Sequence, residues 1–237
     1  MNKLSFRHEK KYLIDTSEAT LLKVHLKQLM LHDSHVGKNG VYKIRSVYFD
    51  DYWDSAYEEK TMGVMARCKY RIRVYNDSDE MIKLERKIKR DAYISKQSAI
   101  LSRNEAEALM NGKYDFLMDN PQQLCQEFYF ECVTKMMRPR VIVDYEREPF
   151  VYRTGDVRIS FDMDIRGAML RFDLFDSELP TMSVLEQTQM ILEVKFTELL
   201  PSFIQEVLPK RLGQHISLSK YTMVCDKMMF LSANQGY

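Results

Sequence analysis

Lysine and arginine recur at every second position in several segments of the chain, where they alternate with apolar residues. Arg71 and Arg73, for example, alternate with Tyr70, Ile72 and Val74. Guanidinium and ammonium groups bind phosphate oxygens directly. When such cations are buried together they repel one another and lose hydration, so they need a polyanion to neutralise them. The pattern therefore indicates chemistry on phosphate groups.

A few carboxylates lie among the cations on the same faces. The bases at these positions are Arg7, Lys11, Arg71, Arg73, Lys83, Lys87 and Lys195, and the acids are Glu9, Glu85, Asp162 and Glu193. Carboxylate oxygens bind hard divalent cations, which bridge and neutralise phosphate oxygens. Bases combined with such acids suit phosphoryl transfer, because that reaction needs positioning and charge neutralisation more than covalent help from the protein.

The alternation itself predicts β-strands that have one charged face and one apolar face. It is found in five segments, at residues 6–14, 70–74, 82–88, 157–162 and 192–196. A sixth segment, 140–148, mixes charged and apolar residues on both faces. Because strands often follow one another without an intervening helix, we expect an antiparallel-rich α+β fold.

Four further segments are predicted to be helices. The first runs over residues 16–30 behind an Asp15/Glu18 capping box, and the second follows a Ser102/Glu105 capping box. A third begins at Asn120-Pro121. The last follows Ser217. Each helix has an apolar face that must be covered.

Two arrangements satisfy these patterns. In one, the charged faces lie in water, as is usual for antiparallel sheets. In the other, the helices cover the apolar faces from outside and the charged faces line a barrel or tunnel. The excess of bases favours the tunnel, since a solvated face would use more Thr, Ser and Gln and would pair its charges across strands.

The whole-chain composition excludes several other classes of protein. The 237 residues include 35 Lys and Arg against 34 Asp and Glu, so net charge attracts the chain to neither nucleic acid nor anionic membranes. No run approaches the ~18–20 apolar residues of a membrane span, and the first residues lack an apolar signal core. The four cysteines form no Cys-x-x-Cys pair. We expect one cytoplasmic domain over residues 1–237 with free thiols.

Seven short motifs resemble those of the VTC domain, the polyphosphate polymerase branch of the triphosphate tunnel (CYTH-like) enzymes. They occur in order from residue 7 to about 225, as Arg7-x-Glu9-x-Lys11-Tyr12, Arg45-Ser46-Val47-Tyr48-Phe49-Asp50, Lys69-Tyr70-Arg71-Ile72-Arg73, Glu85-Arg86-Lys87, Tyr145-Glu146-Arg147, Glu193-Val194-Lys195 and Ser219-Lys220-Tyr221. Each tripeptide is weak alone, but seven in the right order are fairly specific.

The resemblance implies an eight-stranded antiparallel tunnel β-barrel with flanking helices. It also implies transfer of the ATP γ-phosphate onto a polyphosphate chain with Mn²⁺ or Mg²⁺. The implied catalytic residues are Arg71, Arg73, Lys87, Arg147 and Lys220. The implied substrate-binding residues are Lys11, Arg45, Lys60, Lys96, Tyr145, Lys195 and Ser219. Glu193 is the implied metal ligand.

Two positions depart from the patterns of related enzymes. Triphosphatases of this superfamily usually open with Glu-x-Glu-x-Lys, and Arg7 replaces the first acid here, which favours the polymerase branch. Eukaryotic polymerases tend to have a base where this chain has Ser217. Those larger proteins also carry membrane domains, so we expect any membrane attachment to come through a partner protein rather than by direct insertion.

Three alternatives to the polymerase remain. One is a triphosphatase that hydrolyses short polyphosphate or a nucleoside triphosphate, and another is a non-catalytic module that binds polyphosphate. The third is a nucleic-acid-binding barrel. We expect no nucleic-acid partner, because the basic positions alternate with aliphatic more than with aromatic residues that would stack on bases.

Overall fold

The computed structural model describes residues 6–34, 36–37, 39–208 and 217–234. The ten strands within these ranges are β1 (Arg7–Asp15), β2 (Leu31–His32), β3 (Tyr42–Asp50), β4 (Ala66–Tyr75), β5 (Ser78–Arg90), β6 (Tyr93–Leu101), β7 (Arg138–Tyr152), β8 (Val157–Ala168), β9 (Met182–Ser183) and β10 (Gln189–Phe196). The α-helices are α1 (Thr16–Leu29), α2 (Ser55–Thr61), α3 (Arg103–Met110), α4 (Gln123–Lys135), α5 (Ser202–Val207) and α6 (Lys220–Asn234). A single domain over 1–237 stays a prediction, and its ends at 1–5 and 235–237 lie outside the described residues.

Eight of the strands close into a ring. The hydrogen-bonded order is β7-β3-β4-β5-β6-β1-β10-β8, and β8 pairs back with β7. The short strands β2 and β9 add to β7 and β8. Every pairing is antiparallel. The predicted α+β fold with an eight-stranded antiparallel tunnel is therefore confirmed.

The apolar outer faces of the strands are covered by helices, as the tunnel arrangement requires. On one side, Phe128 of α4 stacks on Tyr70 of β4 with ring centroids 4.7 Å apart. On the other, Leu22 and Leu26 of α1 share a buried cluster with Phe161 of β8. Because side chains alternate between the two faces of a strand, covering the apolar face turns the charged face inward.

Cross-strand register aligns the inward charges of β4 and β5 in rungs. From the exposed end of these strands inward, the pairs are Arg67 with Lys89, Lys69 with Lys87, Arg71 with Glu85 and Arg73 with Lys83. Antiparallel strands rise ~3.4 Å per residue, so successive rungs are about 7 Å apart. The ring therefore presents a graded series of charges along its axis.

Helix α6 packs on the inner side of the ring. Its Tyr221, Val224 and Cys225 belong to one buried cluster with inward-facing residues of β3, β7 and β10. Gly167 of β8 permits the close approach, because a Cβ there would lie 2.4 Å from Cγ1 of Val224. The helix thus fills with apolar side chains the part of the interior that is not lined by charges.

The predicted helix starts were right at two capping boxes and wrong at a third site. Both predicted capping boxes, at Asp15 and at Ser102, are formed. The predicted start at Asn120-Pro121 is wrong, since α4 begins at Gln123. The Asn120 side chain instead accepts a hydrogen bond from the backbone of Gln122, which makes a turn ahead of the helix.

Within the described ranges, none of the helices combines the length and apolar character that a membrane crossing needs. All four cysteines are free thiols, as expected, and only Cys68 is not fully buried.

Candidate functional site: a cationic cavity inside the ring

The ring encloses a cavity of about 410 Å³. All of the candidate residues line it except Arg45 and Lys96; those brought together are Lys11, Lys60, Arg71, Arg73, Lys87, Tyr145, Arg147, Glu193, Lys195, Ser219 and Lys220. The strands β1, β4, β5, β7 and β10 supply most of them and α2 supplies Lys60. Lys220 is the first residue of α6, and Ser219 directly precedes it. Their roles in binding or catalysis stay predictions, but their proximity is a property of the fold.

A network of buried charges lies around Arg147. Its guanidinium donates to Asp162 from Nε to Oδ1 at 2.6 Å and from Nη2 to Oδ2 at 2.8 Å. It also donates to Oε2 of Glu193 at 2.9 Å. Lys220 donates to Oδ2 of Asp162. Burial alone would raise the pKa of Asp162, but the two cations outweigh burial and lower it.

Glu193 is held by cations on three sides. Besides Arg147, Nζ of Lys195 lies 2.9 Å and Nζ of Lys11 3.8 Å from its carboxylate. Lys11 is also its cross-strand partner. Burial would raise the pKa of Glu193, but these neighbours keep it well below its ordinary value. These cations therefore favour the ionised form of the carboxylate.

A second set of paired charges surrounds Glu9, next to the ion pairs of Glu193. Its Oε1 accepts from Nζ of Lys87 at 2.7 Å and lies 3.3 Å from Nζ of Lys11. Burial opposes ionisation, yet the neighbouring lysines lower the pKa of Glu9 to about 2. The candidate cations Lys11 and Lys87 are thus both oriented by a carboxylate that the resemblance did not assign to the site.

The arginines of β4 are positioned by Glu85. Arg71 Nη2 lies 2.6 Å and Arg73 Nε 3.8 Å from Oε2 of this glutamate, which has no solvent exposure. Arg73 also donates to the hydroxyl of Tyr145 at 3.2 Å. Lys96 binds the other oxygen of Glu85 at 2.8 Å, so it joins the network although it does not line the cavity.

Arg45 is not part of the cavity. Its neighbour Ser46 points inward and accepts from Arg73, so Arg45 points to the outer face of β3. There it is 1% exposed and donates to Asp144 from Nη2 at 2.7 Å and from Nε at 2.9 Å. It also donates to the carbonyl of Asp176. These contacts hold Arg45 in an ion pair outside the cavity lining, and the substrate contact implied for it stays a prediction.

Several cavity residues had not been assigned to the site from the sequence. They are Glu9, Tyr48, Arg67, Lys69 and Lys89. The alternation that singled out Arg71 and Arg73 extends through Arg67 and Lys69 on the same face, so the signal was present. Burial, followed by repulsion from neighbouring cations, lowers the pKa of Lys69 to about 7.

The acids could contribute ligands to a metal ion but do not form a cage. Among the described residues, no three His, Cys, Asp or Glu side chains gather so that they could hold a metal. Glu9 and Glu193 both line the cavity and are close enough for their negative charges to interact. Mg²⁺ usually takes one or two carboxylates together with substrate phosphates. The two glutamates therefore fit a metal that phosphate oxygens help to hold.

Cations dominate the lining as a whole. Twelve lysines and arginines border the cavity in the described part of the chain, against two glutamates. Glu85 and Asp162 neutralise part of this charge from behind the lining, but cations remain in excess and are expected to attract a polyanion. The arrangement can bind several phosphates in a row, fix them with planar guanidinium groups and compensate charge that develops during their transfer.

The fold has counterparts among solved structures. A candidate adenylate cyclase from Bacillus halodurans matches with a TM-score of 0.54 and 14% identity, over 91% of this chain and 95% of that one. The PH1012 protein from Pyrococcus horikoshii OT3 matches with a TM-score of 0.47 and 12% identity, over 92% of this chain and 98% of that one. The S. pombe Pct1 RNA triphosphatase matches with a TM-score of 0.29 and 12% identity, over 97% and 83%. The first likeness concerns the fold alone, and the other two scores are too low to support a conclusion.

Sequence comparison goes further than fold similarity. A comparison with curated proteins found no match. The family model of the VTC domain matches residues 6–229, which is nearly the whole chain. This agrees with the ordered motifs, the closed eight-stranded ring and the cationic lining. The chain therefore belongs to the VTC domain family.

Proposed function

We propose that this protein is a polyphosphate polymerase, which transfers the γ-phosphate of ATP onto a polyphosphate chain inside the cationic cavity. Its family and its tunnel fold imply the handling of phosphate or triphosphate groups. The observation that carries the finer proposal is the excess of twelve bases over two acids in the lining of the described cavity. That excess can hold a long anionic product in addition to a triphosphate.

The proposed reaction needs two phosphate chains in line. A terminal oxygen of the polyphosphate attacks the γ-phosphorus, the bond from that phosphorus to the bridging oxygen of ADP breaks, and the chain grows by one phosphate. Catalysis of this kind depends on positioning and charge neutralisation. The protein supplies both through cations that carboxylates already orient.

Different groups of the cavity would position the phosphates and neutralise their charge. Arg71 and Arg73 lie two residues apart on one face of β4, so both can bind neighbouring phosphates. Arg147 and Lys220 are held by Asp162 and would meet the phosphates in a fixed orientation. A Mn²⁺ or Mg²⁺ ion bound by Glu193 together with phosphate oxygens would neutralise charge on the triphosphate as ADP leaves.

The products of the reaction test the proposal. Purified protein is incubated with ATP and Mn²⁺, and ADP, orthophosphate and polyphosphate are followed. A polymerase releases ADP, gives a ladder of long chains on a gel and leaves little orthophosphate. Stoichiometric orthophosphate without a ladder would indicate a triphosphatase. Tight binding of polyphosphate without ATP consumption, also after addition of short polyphosphate as primer, would indicate a binding module.

Two variants sharpen the assay. Glu193→Gln keeps the size of the side chain but removes the charge that would bind metal, so turnover should be lost while the fold persists. Lys27→Ala removes an exposed charge on α1 and should leave turnover unchanged. Normal turnover with the usual metal dependence in Glu193→Gln would exclude Glu193 as the metal ligand. A cytoplasmic location and a membrane-protein partner remain predictions.

A further inference from the structure

The cations of the cavity fall into two groups. One group, which includes Lys11, Lys87 and Arg147, forms ion pairs with carboxylates. Five cations of the lining form no such pair within the described residues. Lys10 lies over the ring of Phe196, and the other four, here called the mouth cluster, are Lys60, Arg67, Lys69 and Lys89. The contacts of its members are neutral: Arg67 donates to the carbonyl of Val64 at 2.6 Å and Lys69 to the hydroxyl of Ser219 at 3.2 Å.

The mouth cluster lies at the exposed end of the strand ladder. Arg67 and Lys89 are paired across β4 and β5, next to the exposed residues that begin β4 and end β5. Lys69 stands one rung deeper. Four residues, or about 14 Å of extended strand, separate Arg67 from Arg71. An extended phosphate chain whose end is bound at Arg71 would therefore pass the mouth cluster.

A second groove adjoins the mouth cluster and includes residues of the outer face of β4 and β5, such as Tyr70 and Ile88. Arg67 and Lys89 also border this groove of about 360 Å³. Other bases of this groove, including Arg86, already bind acidic side chains such as Glu127. Arg67 and Lys89 of the mouth cluster therefore lie between the cavity and the groove.

Mutual repulsion between the cations of the mouth cluster is destabilising. Burial and neighbouring cations lower the pKa of Lys60, Lys69 and Lys89. The carboxylates that act on the cluster from a greater distance include Glu59 on α2 and Asp226 on α6. Within the described residues they do not come within ion-pair distance, so a bound anion would relieve the repulsion between these cations.

We propose that the mouth cluster holds the non-reacting phosphates of a linear polyphosphate, while the deeper cations bind the triphosphate. The inference rests on the proposed function for its ligand. It separates two tasks along one strand ladder: Arg71, Arg73 and Arg147 engage the reacting phosphates, and the mouth cluster retains the chain. Affinity should consequently depend on chain length through the mouth cluster alone.

Binding measured without ATP or metal tests this division. Calorimetry compares tripolyphosphate with long polyphosphate for the wild type and for an Arg67→Ala/Lys89→Ala double variant. We expect the affinity for long chains to fall about tenfold or more, as for lost charge-assisted contacts, while the affinity for tripolyphosphate stays within about twofold. Lys113→Ala, which removes an exposed loop charge, should change neither.

Lys83 provides a second control at the other end of the same ladder. It lies on the inner face of β5, opposite Arg73. A loss of long-chain affinity in Lys83→Ala but not in the double variant would place the chain at that end and overturn the inference. Equal loss of both ligands in the double variant would overturn it too, by making the mouth cluster part of the triphosphate site.

The assay separates this inference from the proposed function. Because it needs no turnover, a selective loss of long-chain affinity would support the mouth cluster even if ATP were never consumed. Conversely, a wild type that makes polyphosphate but binds long chains no more tightly than tripolyphosphate would refute the inference and leave the polymerase standing. Unchanged thermal unfolding of the double variant shows that the fold is intact.

Discussion

Substitution of Asp162 by Asn tests whether the buried cations Arg147 and Lys220 can bind an added anion. Asp162 has no solvent exposure and binds both Arg147 and Lys220. Asn keeps the shape but leaves the two cations without their shared counterion. Breaking a buried pair by removing one partner costs about 3–5 kcal/mol. Since Asn retains one oxygen that can accept a hydrogen bond, we expect the lower end, about 3 kcal/mol less free energy of unfolding.

The same change should strengthen phosphate binding. A bound phosphate can replace the missing carboxylate beside Arg147 and Lys220, so Asp162→Asn should bind tripolyphosphate more tightly than the wild type. Ligand stabilises the folded state by RT ln(1 + [L]/Kd), so at equal ligand concentration the variant gains more stability. The assay is urea unfolding at pH 7 with and without tripolyphosphate.

Asp144→Asn is the matched control. Asp144 is also buried and also binds an arginine, Arg45, but on the outer face of the ring. It should lose similar stability and gain no more from tripolyphosphate than the wild type. The reasoning would be refuted if tripolyphosphate stabilised both variants equally. It would also be refuted if Asp162→Asn lowered the free energy of unfolding by less than about 1 kcal/mol, which is a typical effect of any substitution.

Three more predictions concern single side chains. Arg73→Lys should weaken tripolyphosphate binding by about 1–3 kcal/mol, because Lys cannot make planar bidentate contacts; unchanged affinity in calorimetry would place Arg73 outside the site. Since burial lowers the pKa of Lys69 to about 7, this side chain is mostly neutral at pH 8, and bound phosphate should raise its pKa. At pH 8, binding of tripolyphosphate should then take up about one proton more in the wild type than in Lys69→Gln. Calorimetry in buffers of different ionisation enthalpy measures this uptake, and equal uptake by both proteins would contradict the prediction. Gly167→Ala should destabilise the protein by about 1–3 kcal/mol in urea unfolding, because the added Cβ meets Val224; an unchanged midpoint would show that α6 can shift at no cost.

Alternation of residue types explains why much of the fold could be predicted. In strands with one apolar and one charged face, such as β4 around Arg71 and β10 around Leu192, the helices cover the apolar face and the charged face points inward. Alternation did not indicate which way Arg45 points, because both faces of β3 are largely buried and charge alone does not tell a structural ion pair from a ligand contact.

The partners of the site residues were beyond the reach of a single sequence. Glu85 and Asp162 hold Arg71 and Arg147 across neighbouring antiparallel strands, so these contacts depend on the strand register. Glu9 reaches Lys87 from β1 to β5, with β6 between them in the sheet. Lys69 shows the same local pattern as Arg71, yet only the folded structure shows that no carboxylate of the described residues pairs with it. Local sequence patterns thus predicted which face of each strand lines the cavity. Which charges form ion pairs depended on how the strands align with one another.

The fate of the γ-phosphate tests the central claim most directly. Protein is incubated with ATP labelled at the γ-phosphorus, Mn²⁺ and a short polyphosphate primer, and the label is separated into ATP, orthophosphate and polyphosphate. A polymerase moves the label into polyphosphate in proportion to the ADP formed, and Glu193→Gln leaves it in ATP. Label that accumulates in orthophosphate while the primer keeps its length would contradict the account.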